Sequence, residues 1–173
     1  MDRQSSRAIV VMGVSGAGKT SIAELLASRL GCAFVEGDSL HPKANVAKMA
    51  EGIPLTDEDR WPWLDLIGGV LAAARSRNES VVVTCSSLKR VYRERLRKAS
   101  NGMLYFVFLS GSPQLLASRM GERQGHFMPT SLLQSQLATL ESPEGEDGVV
   151  TVDIDDSVEV IVDKAEAGLR KIG

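Results

Sequence analysis

A chain of 173 residues, 43% of them hydrophobic and 24% charged, has the size and composition of one globular domain, which argues against a disordered chain. Its 20 Lys and Arg against 22 Asp and Glu leave a formal charge of −2, so no general attraction to nucleic acid is expected. Two cysteines, Cys32 and Cys85, are too few for a disulfide framework or a metal cluster, and no apolar run reaches the roughly 18 residues of a membrane span. Near the start, glycines and a lysine interrupt the apolar stretch before a signal-peptide core could form, so a soluble, cytoplasmic domain is expected.

Ala8–Met12 (AIVVM) lacks polar alternation, as a strand covered on both faces does. Gly13-Val14-Ser15-Gly16-Ala17-Gly18-Lys19-Thr20 follows and matches GxxxxGK[ST] at every fixed position. Ile22, Leu25, Leu26 and Leu30 then repeat at helical spacing, so the motif has a strand before it and a helix after it. Glycines there allow a tight path that turns N–H groups toward a phosphate, and the helix adds its positive end. Lys19 should reach the β- and γ-phosphates, and the Thr20 hydroxyl should ligate Mg²⁺. The chain is expected to bind a nucleoside triphosphate.

Ala33–Glu36 reads as the second strand, followed by Gly37-Asp38-Ser39-Leu40-His41-Pro42. Asp38 at this strand end can orient an acceptor hydroxyl, accept its proton, or hold a metal-bound water; the alternative is a loop-capping carboxylate. His41 is either a ligand-side residue or a hydrogen-bonded loop residue. Thr56 and Asp59 form a capping box that opens a helix through Trp61, Leu64, Ile67 and Leu71, with Trp61 and Trp63 as packing anchors. Arg60 could grip a carboxylate or phosphate oxygen bidentately. Asp65-Leu66-Ile67-Gly68 fits DxxG but falls within this helix, which makes it a coincidence of spacing; no NKxD accompanies it.

Ser80–Cys85 is the third strand and ends without the aspartate that an AAA-type or helicase motor would carry there. Such a motor also calls for a longer chain. Leu88, Val91, Tyr92 and Leu96 mark the next helix. Lys89 could present charge to an anionic acceptor, and Arg90, Arg93, Arg95, Arg97 and Lys98 read as a solvated face. After the fourth strand, Met103–Leu109, Ser112 and Pro113 start a helix through Leu115, Leu116 and Met120. Arg119 and Arg123 share one face of it, with His126 beyond, and suit a lid closing over the nucleotide; a salt-bridged surface helix is the alternative. Gly148–Ile154 is the fifth strand, preceded by an acidic segment, Glu144–Asp147, expected to be solvated. Val158, Ile161, Val162, Ala165 and Leu169 mark the last helix. Strands alternating with helices imply an α/β fold with a mostly parallel five-stranded sheet between helical layers.

The segments GVSGAGKT, EGDSLHPKANVAKMAEGIPLTDEDRWPWL, CSSLKRVYRERLR and RQGHFMPTSLLQSQLATLE together resemble the gluconate kinase (gluconokinase) family of small P-loop kinases. The resemblance runs from about Ile9 to Ile172. It implies a three-layer P-loop kinase fold like that of shikimate and nucleoside monophosphate kinases. It further implies transfer of the γ-phosphoryl of ATP, with Mg²⁺, to the 6-hydroxyl of D-gluconate, and a homodimer. Residues 1–173 would form one kinase domain with an acceptor-binding insertion at about 37–60 and a lid at about 119–131. On this resemblance Gly13–Thr20 hold ATP, helped by Arg119. Asp38 faces the acceptor hydroxyl, His41, Arg60 and Lys89 line the sugar-acid side, and Arg123 and His126 belong to the lid side. Lys19, Asp38 and Arg123 would be the catalytic set. Ala17, Thr20 and Ser87 replace small residues frequent in the family and leave the metal-ligating hydroxyl in place. Another small acceptor such as shikimate, or a nucleotide-binding module without transfer activity, stays open at this point.

Overall fold

The computed structural model describes residues 6–101, 103–122 and 130–172; Arg123 and His126 lie outside the described residues. Among the described residues five strands form: β1 (Ala8–Met12), β2 (Ala33–Val35), β3 (Val81–Thr84), β4 (Leu104–Ser110) and β5 (Val149–Asp153). They pair in the order β2-β3-β1-β4-β5, and every pairing is parallel. β1 is central, with Val10 opposite Val83 on one side and Phe106 on the other. Every residue of β1 and β3 is buried. Successive side chains point to opposite faces, so both faces of the sheet must be covered.

Among the described residues seven α-helices supply the cover: α1 (Lys19–Leu30), α2 (Lys43–Ala50), α3 (Asp57–Ser76), α4 (Arg90–Ser100), α5 (Pro113–Glu122), α6 (Thr130–Thr139) and α7 (Val158–Ile172). α1 packs with α7, and α3 packs along α4. Gly68 permits the second contact, because a Cβ there would lie 2.5 Å from the Ala99 methyl; the DxxG match is therefore a helix-packing glycine. The capping box of α3 forms in both directions, Asp59 N–H to Thr56 Oγ1 at 3.1 Å and Thr56 N–H to Asp59 Oδ2 at 2.9 Å. Among the described residues no helix is long and apolar enough to cross a membrane.

Parallel pairing has one decisive consequence for the site: the carboxyl ends of all five strands meet at one edge of the sheet. The phosphate loop after β1, Glu36–His41 after β2, Cys85–Lys89 after β3 and Ile154–Ser157 after β5 therefore share that edge. Two helices were not foreseen from periodicity, α2 and α6. The register of α4 also differs from expectation. Val91 is 53% exposed, whereas Arg93, expected on a solvated face, is fully buried.

Candidate active site

The phosphate loop leaves β1 through Gly13 and enters α1 at Gly18, whose φ of 86° is the left-handed conformation glycine favours. Gly18, the N-cap of α1, has no side chain to cap the helix, and the positive end of a helix favours an anion. Gly16 (φ 87°) packs so closely that a Cβ would sit 2.8 Å from the Leu116 carbonyl oxygen. Lys19 Nζ donates to the carbonyls of Gly13 and Val14 at 3.0 and 3.2 Å, which arches the lysine back over its own loop. Gln136 of α6 reaches the same loop, its Oε1 accepting from the Ser15 N–H at 2.7 Å.

Thr20 donates its hydroxyl proton to Glu36 Oε2 at 2.6 Å, and Thr84 Oγ1 donates to the other carboxylate oxygen at 2.5 Å. Thr84 in turn accepts from the Gly37 N–H at 3.0 Å. The strand end that lacks a Walker B aspartate thus carries a threonine that holds the carboxylate of the neighbouring strand. The sequence reading passed over Glu36 in favour of Asp38 as the metal-side acid; its position as the last residue before Gly37, two residues from Asp38, was the available signal. Gly37 is required by close approach, since a Cβ there would lie 1.8 Å from the Thr84 carbonyl oxygen. These residues fit Mg²⁺. A magnesium ion takes one or two carboxylates, phosphates and waters in preference to a dedicated protein cage. With its proton on Glu36, Thr20 Oγ1 keeps its lone pairs for a cation, and each Glu36 oxygen retains acceptor capacity for a metal-bound water.

A cleft beside the loop is lined by Lys19, Asp38, His41, Arg60 and Trp63, together with Ser15 of the phosphate loop, its partner Gln136, and the apolar Met49, Ile53 and Leu55. The 3₁₀ turn Gly37–Leu40 presents Asp38, whose side chain is 44% exposed. His41 is stacked on Trp63 with ring centroids 4.0 Å apart, and Trp63 Nε1 donates to the Gly37 carbonyl at 2.8 Å. Trp63 is thus more than a packing anchor: it holds both ends of the turn that follows β2. Burial, with the positive charge of Arg60 nearby, pushes the His41 pKa down to about 4. Arg60 Nη1 donates to the Leu55 carbonyl at 2.6 Å and to Tyr92 Oη at 3.0 Å, with the guanidinium 5.1 Å from the Tyr92 ring centre.

Lys89, the N-cap of α4, donates to Asp57 at 3.1 Å and does not line this cleft. Arg93 is a correction to the sequence reading. Its guanidinium binds both Glu146 oxygens at 2.9 and 2.6 Å and donates to the Ser87 carbonyl at 2.8 Å. Glu146, expected in a solvated loop, is 9% exposed at its side chain. Together they fasten the β3–α4 loop, where Ser87 adopts φ 49°. Arg119 lines a second hollow with Gly16, Gly18, Asp156 and Ser157, its Nη2 donating to the Ile154 carbonyl at 2.6 Å. Cys85 is buried and its thiol is pushed up to about 11 by that burial, so it is no nucleophile. Among the described residues no group of three His, Cys, Asp or Glu could hold a metal by itself.

A family model described as an AAA domain matches residues 9–143, so the core belongs to that family, a kinship that setting aside a motor did not foresee. The gluconokinase of Gluconobacter oxydans (strain 621H) is 50% identical over 158 residues, 91% of this chain and 88% of that protein. The chain belongs to the gluconokinase family of P-loop kinases. The thermosensitive gluconokinase of Escherichia coli (strain K12) is 40% identical over 169 residues, 97% of this chain and 90% of that one. The crystal structure of a gluconokinase from Sinorhizobium meliloti 1021 superimposes with a TM-score of 0.89 at 56% identity, covering 98% of this chain and 94% of that one. In this kinase, then, the three-layer architecture and the parallel sheet are those of the family.

Proposed function

We propose that the protein is an ATP-dependent gluconokinase that transfers the γ-phosphoryl of ATP to the 6-hydroxyl of D-gluconate, giving 6-phospho-D-gluconate and ADP. One observation carries the reading beyond family membership: a single cleft gathers Lys19 of the phosphate loop, Asp38 from the end of β2, and Arg60 and His41 beside it. Phosphoryl transfer needs positioning and charge stabilisation rather than a covalent enzyme intermediate. Asp38 orients the acceptor hydroxyl and takes its proton. Lys19 leaves the Gly13 and Val14 carbonyls to meet the phosphates. Arg60 supplies positive charge to the sugar-acid carboxylate, and Lys89, one turn away on Asp57, adds to the field from behind. Thr20 with Glu36 would hold Mg²⁺, which when bound neutralises phosphate charge. Arg119, beside Gly16 and Gly18, serves the nucleotide, and Arg123 and His126 belong to a lid at about 119–131 that closes over it. Residues 37–60 form the acceptor-binding insertion of a single kinase domain. A homodimer in the cytoplasm, with no nucleic-acid or membrane partner, completes the reading. The basic run of α4 supports that last point, because Arg93, Arg95 and Arg97 are each paired with Glu146, Asp65 or Glu94.

Coupled ADP-release assays with gluconate, shikimate and nucleoside monophosphates test the assignment. Turnover with gluconate well above the others is the expected result. Turnover with another acceptor alone, or ATP binding without any product, overturns it.

A further inference from the structure

Asn45, in the first turn of α2, is 3% exposed, and its side-chain nitrogen lies 2.9 Å from the Asp59 carbonyl oxygen and 3.2 Å from His41 Nδ1. A carbonyl oxygen only accepts, so the Asn45 atom facing Asp59 is the NH₂ group, not the amide oxygen. That nitrogen has a second N–H, and His41 Nδ1 is where it is directed. An imidazole nitrogen that accepts carries no proton, so the proton of the neutral ring sits on Nε2. Nε2 is the nitrogen turned toward Asp38, 3.9 Å from Oδ1. The ring is clamped flat on Trp63, with 16° between the planes. Its charged neighbours are Asp38 from the same turn and Arg60 from α3.

We infer that Asn45 is a positioning residue that locks His41 in the neutral Nε2–H tautomer, so that His41 presents the acceptor with a fixed hydrogen-bond donor and does not act as the base. The donor suits an oxygen-rich acceptor, a hydroxyl or carboxylate of a polyhydroxy acid, and leaves the proton-accepting role to Asp38. The choice of acceptor rests on the function proposed above; the tautomer does not.

Histidine-¹⁵N NMR tests the inference without substrate. The chain has two histidines, and His41→Gln assigns the His41 signals by their loss. The wild type is expected to show unprotonated Nδ1 and protonated Nε2 between about pH 5 and 8. Asn45→Ala should release a tautomer mixture and raise the acceptor KM about ten-fold, the worth of one aligned hydrogen bond, with the ATP KM little changed. A rise in Tm on adding ATP shows that the variant is folded. A second comparison does not depend on Asn45: His41→Gln, whose amide N–H can stand near Nε2, should weaken acceptor binding less than His41→Asn. A wild-type Nδ1–H tautomer, an unchanged tautomer in Asn45→Ala, or the reverse order of the His41 variants overturns the inference. Absent gluconate turnover with the Nε2–H tautomer intact sinks the function proposal alone.

Discussion

Glu36 and Asp38 stand two residues apart after β2 and are held for different work. Glu36 is tied by Thr20 and Thr84, where it would face Mg²⁺, while Asp38, half-exposed, lines the cleft proposed to take the acceptor. Asp38→Asn keeps the shape and removes the base, so turnover should fall by about 10²–10⁴-fold in a coupled assay while ATP binding by calorimetry persists. Glu36→Gln should instead raise the Mg²⁺ concentration for half-maximal activity by about 10–100-fold, read from a magnesium titration at saturating ATP and acceptor. His41 makes a pH prediction of definite sign. Its folded pKa, about 4, lies below the ordinary 6.5, so between those values the unfolded chain binds the proton that the native chain refuses. Stability is therefore lost as pH falls from 6.5 toward 4, by up to on the order of 3 kcal/mol. Denaturant unfolding at pH 7 and pH 4.5 should show a loss in the wild type that is smaller in His41→Gln.

At the scale of elements, the proposed acceptor side is a junction of helix starts. Lys48 of α2 pairs with Asp59 in the first turn of α3 at 2.7 Å, and Lys89 at the start of α4 pairs with Asp57. Asp57 also accepts from the Tyr92 hydroxyl. The segment after α6 completes the junction, with Glu141 N–H donating to the Leu88 carbonyl at 2.7 Å and its carboxylate accepting from the Arg90 N–H at 2.8 Å. Arg93 and Glu146 lie behind these contacts. Arg93→Met leaves a buried carboxylate whose one remaining ion pair among the described residues is with Arg97, at 3.0 Å. The expected cost is about 3 kcal/mol in urea unfolding, the low end for a broken buried pair because Arg97 remains. Replacing Glu146 by Met as well should recover part of that loss.

Across the whole molecule, the charge of −2 averages two unlike regions. Lys19 and Arg60 stand in the cleft, while Glu141–Glu159 carries eight acidic residues and no basic ones. Ligand binding should register globally, because the phosphate loop touches β4, α5 and α6 through Gly13, Gly16 and Ser15. ATP with Mg²⁺ at about one hundred times Kd should stabilise the fold by about 2.7 kcal/mol, hence raise Tm by roughly 5–10 °C. Lys19→Ala should lose most of that rise in a thermal-shift titration.

The five strands, the phosphate loop and the capping box were legible because each is written in contiguous residues: buried β-branched runs, fixed glycines and lysine, and a threonine three residues before an aspartate. Their order in the sheet and the meeting of their carboxyl ends followed from strand–helix alternation only once the pairing was seen. The short helix α2 escaped periodicity because only Asn45 and Met49 of its eight residues are buried. Arg93 was misread because the residue that makes its burial tolerable, Glu146, is 53 positions away. The same holds for Glu36 and Thr84, 48 positions apart, and for His41 under Trp63 and Asn45. By itself the sequence determined what local chemistry can: a triphosphate loop, its strand and its helix, and the candidate carboxylate Asp38 just past the second strand. The tertiary structure alone decided which polar groups are buried together, because desolvation makes such groups stable only with partners that the chain must fold to deliver.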